Sequence, residues 1–172
     1  MTHNATGAAA FDFVIGRWST TNRKRVDPLN PSDTEWLEFD STGEHRALPG
    51  GGNLETYETS SMPDLGEFHG LALRLYEPAS DTWRIWWHSS TTPGKLDPPM
   101  EGRFDGPHGE FFADDVVNDQ AVKVRFEWDD LGPDAARWQQ AFSHDGGATW
   151  DINWVMDMVR APDSARVRPD SA

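Results

Sequence analysis

His69, His88 and Glu55 are the residues with which this chain could move a proton. An imidazole titrates near neutrality, and enclosure away from water raises a carboxyl toward the same range, so each could act as a general acid or base. Gln140 and Asn153 carry amides able to orient a carbonyl or hydroxyl. Trp86, Trp128 and Trp138, with Leu71 and Leu73 beside Trp86, would supply apolar walls for a ligand. The more ordinary use of each polar group is to satisfy backbone or meet solvent.

Other chemistries find less support. The chain has no Cys, hence no thiolate nucleophile and no disulfide, and no Gly-x-Ser-x-Gly surrounds a serine. The run Leu48–Asn53, "LPGGGN", lacks the Lys-Ser/Thr ending of a phosphate loop and reads as a turn. The internal histidines, His45, His69, His88, His108 and His144, show neither H-x-H nor HExxH spacing, so neither a metal site nor a cofactor is expected. A net charge of −14 repels polyanions and argues against nucleic acid and anionic membranes as partners. With no long apolar run, no secretory signal pattern and no Cys, the expected location is cytoplasmic.

The elements that must position these residues follow from alternation and punctuation. At 172 residues the chain has the size of one domain, and it shows little helical periodicity. Short alternating runs are separated by clusters such as "DPLNPSD", "SSMPDLG", "EPASD" and "HDGGA", the pattern of an all-β fold. Ten strands are expected, near 14–26, 35–47, 53–59, 67–76, 82–90, 100–104, 110–116, 121–128, 137–144 and 149–159. Connections this short make sequential antiparallel neighbours, and closure into an up-and-down barrel would remove exposed edges. The barrel is expected over 11–160, with flexible ends at 1–10 and 161–172. The Pro-rich run Thr91–Pro99, "TTPGKLDPP", is either a plain loop or a lid at a barrel end.

Alternation also sorts the faces. Val122, Val124, Phe126 and Trp128 share one side, which must be interior. Trp150, Ile152, Trp154, Met156 and Met158 form another such row. A four-residue loop Pro78–Asp81 pairs Glu77 with Thr82, Leu73 with Trp86 and Leu71 with His88. Three leucines, Trp86, His69 and His88 then share a side, and this richer apolar set is expected inward. Trp87 would lie outward with Ala72, Arg74 and Ile85, stacked by Arg74 or covered by a loop or by a partner subunit in a homodimer. A one-residue error in phase would exchange every assignment.

Certain segments resemble a known family. Gly16-x-Trp18 resembles the Gly-x-Trp opening of lipocalins and the wider calycin barrels. "LALRLYEPASDTWRIWW", "LDPPMEGRF" and "RWQQAFSHDGGATWDINWVMDM" are similar to segments of a bacterial lipocalin-like family of unknown function. The resemblance implies a calycin-like barrel in which Trp18 plugs the closed end and Arg160, from the last strand, packs over it. It implies no catalytic set. "SHDGGATW", Ser143–Trp150, is similar to the Asp-box hairpin, a turn-stabilising device. The expected function is a Trp-lined barrel that binds a small apolar or aromatic ligand. The alternative is a small isomerase, cyclase or lyase using a lumen His or carboxylate.

Overall fold

The ten alternating runs become ten strands: β1 (Gly16–Arg25), β2 (Trp36–Ala47), β3 (Asn53–Met62), β4 (Gly66–Glu77), β5 (Thr82–Ser89), β6 (Met100–Asp105), β7 (His108–Val117), β8 (Gln120–Asp130), β9 (Ala135–Ser143) and β10 (Asp151–Arg160). The structure, a computed structural model, describes residues 7–162. Each strand pairs antiparallel with its sequence neighbours, and β1 pairs with β10 to close the barrel. No edge is left unpaired, as the all-β reading requires. Of the two ends expected to be flexible, residues 1–6 and 163–172 lie outside the described residues. Gly7–Ala9 and Asp12–Val14 form two turns of 3-10 helix before β1. No helix among the described residues is long and apolar enough to cross a membrane.

Those turns plug one end. Phe11 and Val14 are fully buried, and the Phe11 ring lies 4.9 Å from Trp83 and 4.7 Å from Phe104, edge to face in both cases. Trp18 is 1% exposed and donates its indole N–H to the Val14 carbonyl at 2.6 Å. The Arg160 guanidinium sits 4.3 Å over the Trp18 ring. It donates to the carbonyls of Ile15, Phe13 and Pro133 at 2.8, 2.9 and 2.6 Å, tying the plug to the last strand. Gly16 turns the chain from plug to strand at φ 127°, a conformation open to glycine, and a Cβ there would lie 2.6 Å from the Arg160 Nη1.

The faces of β4 and β5 are the reverse of the expectation, although the register is as expected. Glu77 pairs with Thr82, Leu73 with Trp86 and Leu71 with His88. The side turned inward is Phe68, Gly70, Ala72 and Arg74 with Trp83, Ile85 and Trp87. Leu71, Leu73, Trp86, His69 and His88 are on the outer side. Counting leucines misjudged the faces for two reasons. Arg74 is neutralised inside by a buried carboxylate, so its charge does not force it outward. Gly70 and Ala72 are small because the Trp87 indole lies across them, and a Cβ on Gly70 would collide with its six-membered ring. With Trp87 interior, the outward surface proposed for a homodimer does not include it.

β10 carries a second phase change. Ile152 pairs with Ala141 and Trp154 with Gln140, so Asn153 is the extra residue of a bulge. Trp154, Met156 and Met158 form the inner row, while Trp150 stacks outside against Arg125 (4.9 Å) and Phe112 (5.7 Å). The hairpin before it holds together through Asp145, whose carboxylate accepts from Ser143 Oγ, the Ala148 and Thr149 amides and Thr149 Oγ1 at 2.7–2.9 Å. Those donors keep its pKa well below the usual carboxylate range.

Arg160→Ala removes three hydrogen bonds from a cation and its contact with Trp18. It should destabilise the protein by about 2–3 kcal/mol and lower Tm by roughly 5–10 °C, read by thermal denaturation.

Candidate functional site

The inner rows enclose a cavity of about 240 Å³ lined by residues of β3 to β10 and by Asp97 and Pro98 of the β5–β6 connection. Its walls are aromatic. Trp87, Phe126, Trp138 and Trp154 surround it, with Trp138 edge-on to Trp154 at 5.6 Å and to Phe126 at 4.9 Å. Ala72 and Ala113 keep the space open between them. Phe39, Met62 and Phe68 belong to the packed core.

The inner end, nearest the plug, is polar and sealed. Glu55 on β3 and Arg74 on β4 form an ion pair between side chains only 6% and 2% exposed. Arg74 also donates to Asn53 Oδ1 at 2.9 Å and to His45 Nδ1 at 3.2 Å, and it lies 4.9 Å over the Trp128 ring. Arginine only donates, so His45 Nδ1 accepts, and the ring proton sits on Nε2, 3.8 Å from the Glu55 carboxylate. Burial pushes the His45 pKa down to about 4, Arg74 and Arg160 add to the depression, and Glu55 opposes it. Burial works against the Glu55 carboxylate, but the polar edge of His45 and the Arg74 guanidinium outweigh it and hold its pKa below the ordinary value. Neither group titrates near neutrality. The buried Nε atoms of Arg74 and His45 and the Trp128 indole N–H have no protein partner.

A second polar cluster closes the side. Asn22 Oδ1 accepts from Tyr57 OH (3.2 Å) and Trp154 Nε1 (3.1 Å), and its Nδ2 donates to Ser41 Oγ (2.8 Å). Burial raises the Tyr57 pKa to about 12, so the phenol stays protonated. Gln140 lines the cavity and donates to Asn153 Oδ1 at 2.8 Å; Asn153 itself is buried in the β10 bulge. The opposite end, away from the plug, carries Asp97 and Asp115. Burial and the neighbouring Asp115 push the Asp97 pKa up, and His88 opposes them. The Pro-rich connection joins the wall here: the Asp97 amide donates to the Trp87 carbonyl at 2.8 Å.

The residues singled out from the sequence therefore divide. The structure brings Glu55, Trp128, Trp138 and Gln140 to the cavity, with Asn153 just behind. It puts His69 and His88 outside, where His69 meets Glu67 (3.0 Å) and His88 Nδ1 donates to the Lys95 carbonyl (2.7 Å). Trp86, Leu71 and Leu73 share that outer side. The sequence reading missed Arg74, His45, Asp97, Asp115, Tyr57, Trp87 and Trp154 as members of one site. The small pair Gly70 and Ala72, set across a hairpin from Trp87, was the available signal for Trp87 and Arg74.

Among the described residues, one group of metal-ligating type stands elsewhere. His108, Glu110 and Glu127 bring ligand atoms within 4.8 Å of one another on the outer wall of β7 and β8. The Glu127 carboxylate is already taken up by Arg125 (3.0 Å) and Gln139 (2.7 Å), and His108 Nδ1 donates to Asp129 (2.7 Å). The cluster has the character of a surface charge network.

No family of known sequences matches this chain, and no curated protein does. Among solved structures it is similar to the crystal structure of Rv2717c from M. tuberculosis, with a TM-score of 0.59 and 11% identity over 90% of this chain and 98% of that one. At that identity the likeness shows a shared barrel fold and nothing about activity.

Arg74→Met leaves the Glu55 carboxylate buried without its cation and should cost about 3–5 kcal/mol in urea denaturation. A Glu55→Met/Arg74→Met double variant should recover most of that loss, because it buries no unpaired charge. The His45 pKa is lower folded than unfolded, so between pH 6.5 and about 4 the unfolded chain binds more protons. Stability should be intact above pH 6.5 and fall by up to about 3 kcal/mol toward pH 4. The difference between wild type and His45→Gln across that range isolates the effect.

Proposed function

We propose that the barrel binds a small apolar or aromatic molecule in its lumen. The observation that carries this reading is the cavity of about 240 Å³ walled by Trp87, Trp128, Trp138 and Trp154 beside Phe126. Indole and phenyl rings give a ligand large contact area with few rotamers to freeze. The volume suits a molecule of one or two rings. Burying roughly 200 Å² of its apolar surface would gain about 5 kcal/mol, whereas a micromolar Kd needs about 8. The polar groups at the two ends of the cavity are in place to supply the difference. The resemblance of its segments to lipocalin-like barrels, which implies a ligand cavity, supports the same reading.

The acid–base alternative has weaker support. His69 and His88 are on the outer wall, and the third proton carrier, Glu55, is held as a carboxylate by Arg74. A general base pinned by a guanidinium and titrating below its ordinary range is poorly matched to work at neutral pH.

Binding of aromatic compounds should quench tryptophan fluorescence saturably. Trp87→Leu should weaken it at least tenfold, while Trp86→Leu, one residue along the same strand on the opposite face, should leave Kd within about twofold. Equal effects of the two substitutions would sink the lumen reading.

A further inference from the structure

We infer that the ligand of this cavity is an organic cation, a small aromatic or apolar amine with its ammonium at the Asp97/Asp115 end. The inference rests on the lumen-binding reading and deepens it. Four charged side chains line the cavity: Glu55, Arg74, Asp97 and Asp115. The first two cancel as a sealed ion pair at the inner end. What a ligand meets at the other end is therefore two carboxylates, and neither forms an ion pair with a Lys or Arg among the described residues. Asp115 Oδ1 accepts the Val116 amide at 2.7 Å, and the charges that act on Asp97 are those of Asp115 and His88. Partial desolvation disfavours ionisation of Asp97, and the nearby Asp115 charge adds to that cost. A cation beside Asp97 relieves both.

The walls favour the same charge. Electron-rich indole faces attract cations, and the protein already uses them so: Arg74 lies 4.9 Å over Trp128, and Lys24 Nζ lies 4.5 Å over Trp154. Burial lowers the Lys24 pKa and Asp64 opposes that, so the carboxylate acting on this cation is Asp64, and neither Asp97 nor Asp115 pairs with it. An overall charge of −14 would further steer cations toward the barrel.

A second, independent feature marks the inner end. Trp128 and Arg74, each 2% exposed and each lining the cavity, keep an indole N–H and an Nε–H without a protein acceptor. Buried donors without partners are costly, and a ligand acceptor would satisfy them. The ligand so described has three parts: an ammonium outside, a flat apolar body between the tryptophans, and a hydrogen-bond acceptor or π face at the floor.

Isothermal titration with 2-phenylethylamine, 2-phenylethanol and 3-phenylpropanoate tests this, because the three share a ring and differ in charge. At pH 7 the amine should bind at least tenfold more tightly than the alcohol, and the acid most weakly. Asp97→Asn/Asp115→Asn, checked for folding by near-UV circular dichroism, should abolish the amine's advantage and leave the alcohol's Kd within about twofold. An alcohol that binds as tightly as the amine overturns the cation inference and leaves the lumen reading standing. An amine preference that survives the double substitution overturns the assignment to these carboxylates. Binding of none of the three to wild type overturns both readings.

Discussion

A guanidinium enclosed in a β-barrel is the constraint on which the rest of this structure turns. Arg74 can be 2% exposed because Glu55, on the neighbouring strand, cancels its charge, and because Asn53 and His45 accept from its Nη1. That arrangement fixes which side of β4 faces the lumen. By hydrophobic count the other phase would do better, since it would bury Leu71, Leu73 and Leu75 and release the charge to water. It would also strand Glu55 in the interior without a cation, and it would set leucines where the Trp87 indole needs the space over Gly70 and Ala72. Removing one partner of a buried pair costs more than the pair contributes, so the two strands are locked to each other's phase. The pair also sets the floor of the cavity and stacks on Trp128 and Phe11, joining it to the plug.

How far the sequence reaches follows from the range of each interaction. Turns are local, so the Pro, Gly, Asp and Asn clusters located ten strands to within a few residues, and the Pro78–Asp81 loop set the β4–β5 register correctly. The closed antiparallel barrel follows from short connections and the avoidance of edges. Facing is not local. Whether β4 turns Leu73 or Arg74 inward depends on Glu55, whose proximity requires the β3–β4 register, in which Ala72 stands opposite Glu55. The β10 bulge at Asn153 is likewise invisible to a strict two-residue period, and it alone moves Trp150 and Ile152 outside while Trp154 stays in. Trp128, Trp138 and Gln140 could be found because β8 and β9 pair in an unbroken register, and Glu55 because the irregularity of β3 comes after it, between Thr59 and Met62. His45 and Asp97 could not, since one gains its meaning from Arg74 and the other from a connection with no periodicity.

The same contacts explain why a cavity exists where it does. Small side chains, Ala72 on β4 and Ala113 on β7, face the lumen, whereas larger ones such as Phe39, Met62 and Phe68 fill the packed core. The rings that border the space are held by their own partners. Trp154 is tied to Asn22, Trp138 is clasped between Phe126 and Trp154, and Trp87 meets Tyr57 edge to face at 6.1 Å. Walls fixed in this way resist collapse, because an indole turned inward would forfeit a hydrogen bond or a ring contact.

Along its length this space changes character in one direction only. Behind it, charges are paired and buried and offer donors; in the middle, rings and methyls dominate, with the Gln140 amide among them; in front, Asp97 and Asp115 stand without an ion pair among the described residues. A molecule that is apolar throughout would leave both ends unanswered. One with opposite polar ends would fit in a single orientation, because reversing it would bring an ammonium against Arg74 and an acceptor against Asp97. The interaction that holds Arg74 inside the barrel thus also gives the cavity its direction, by cancelling charge at one end and leaving it at the other.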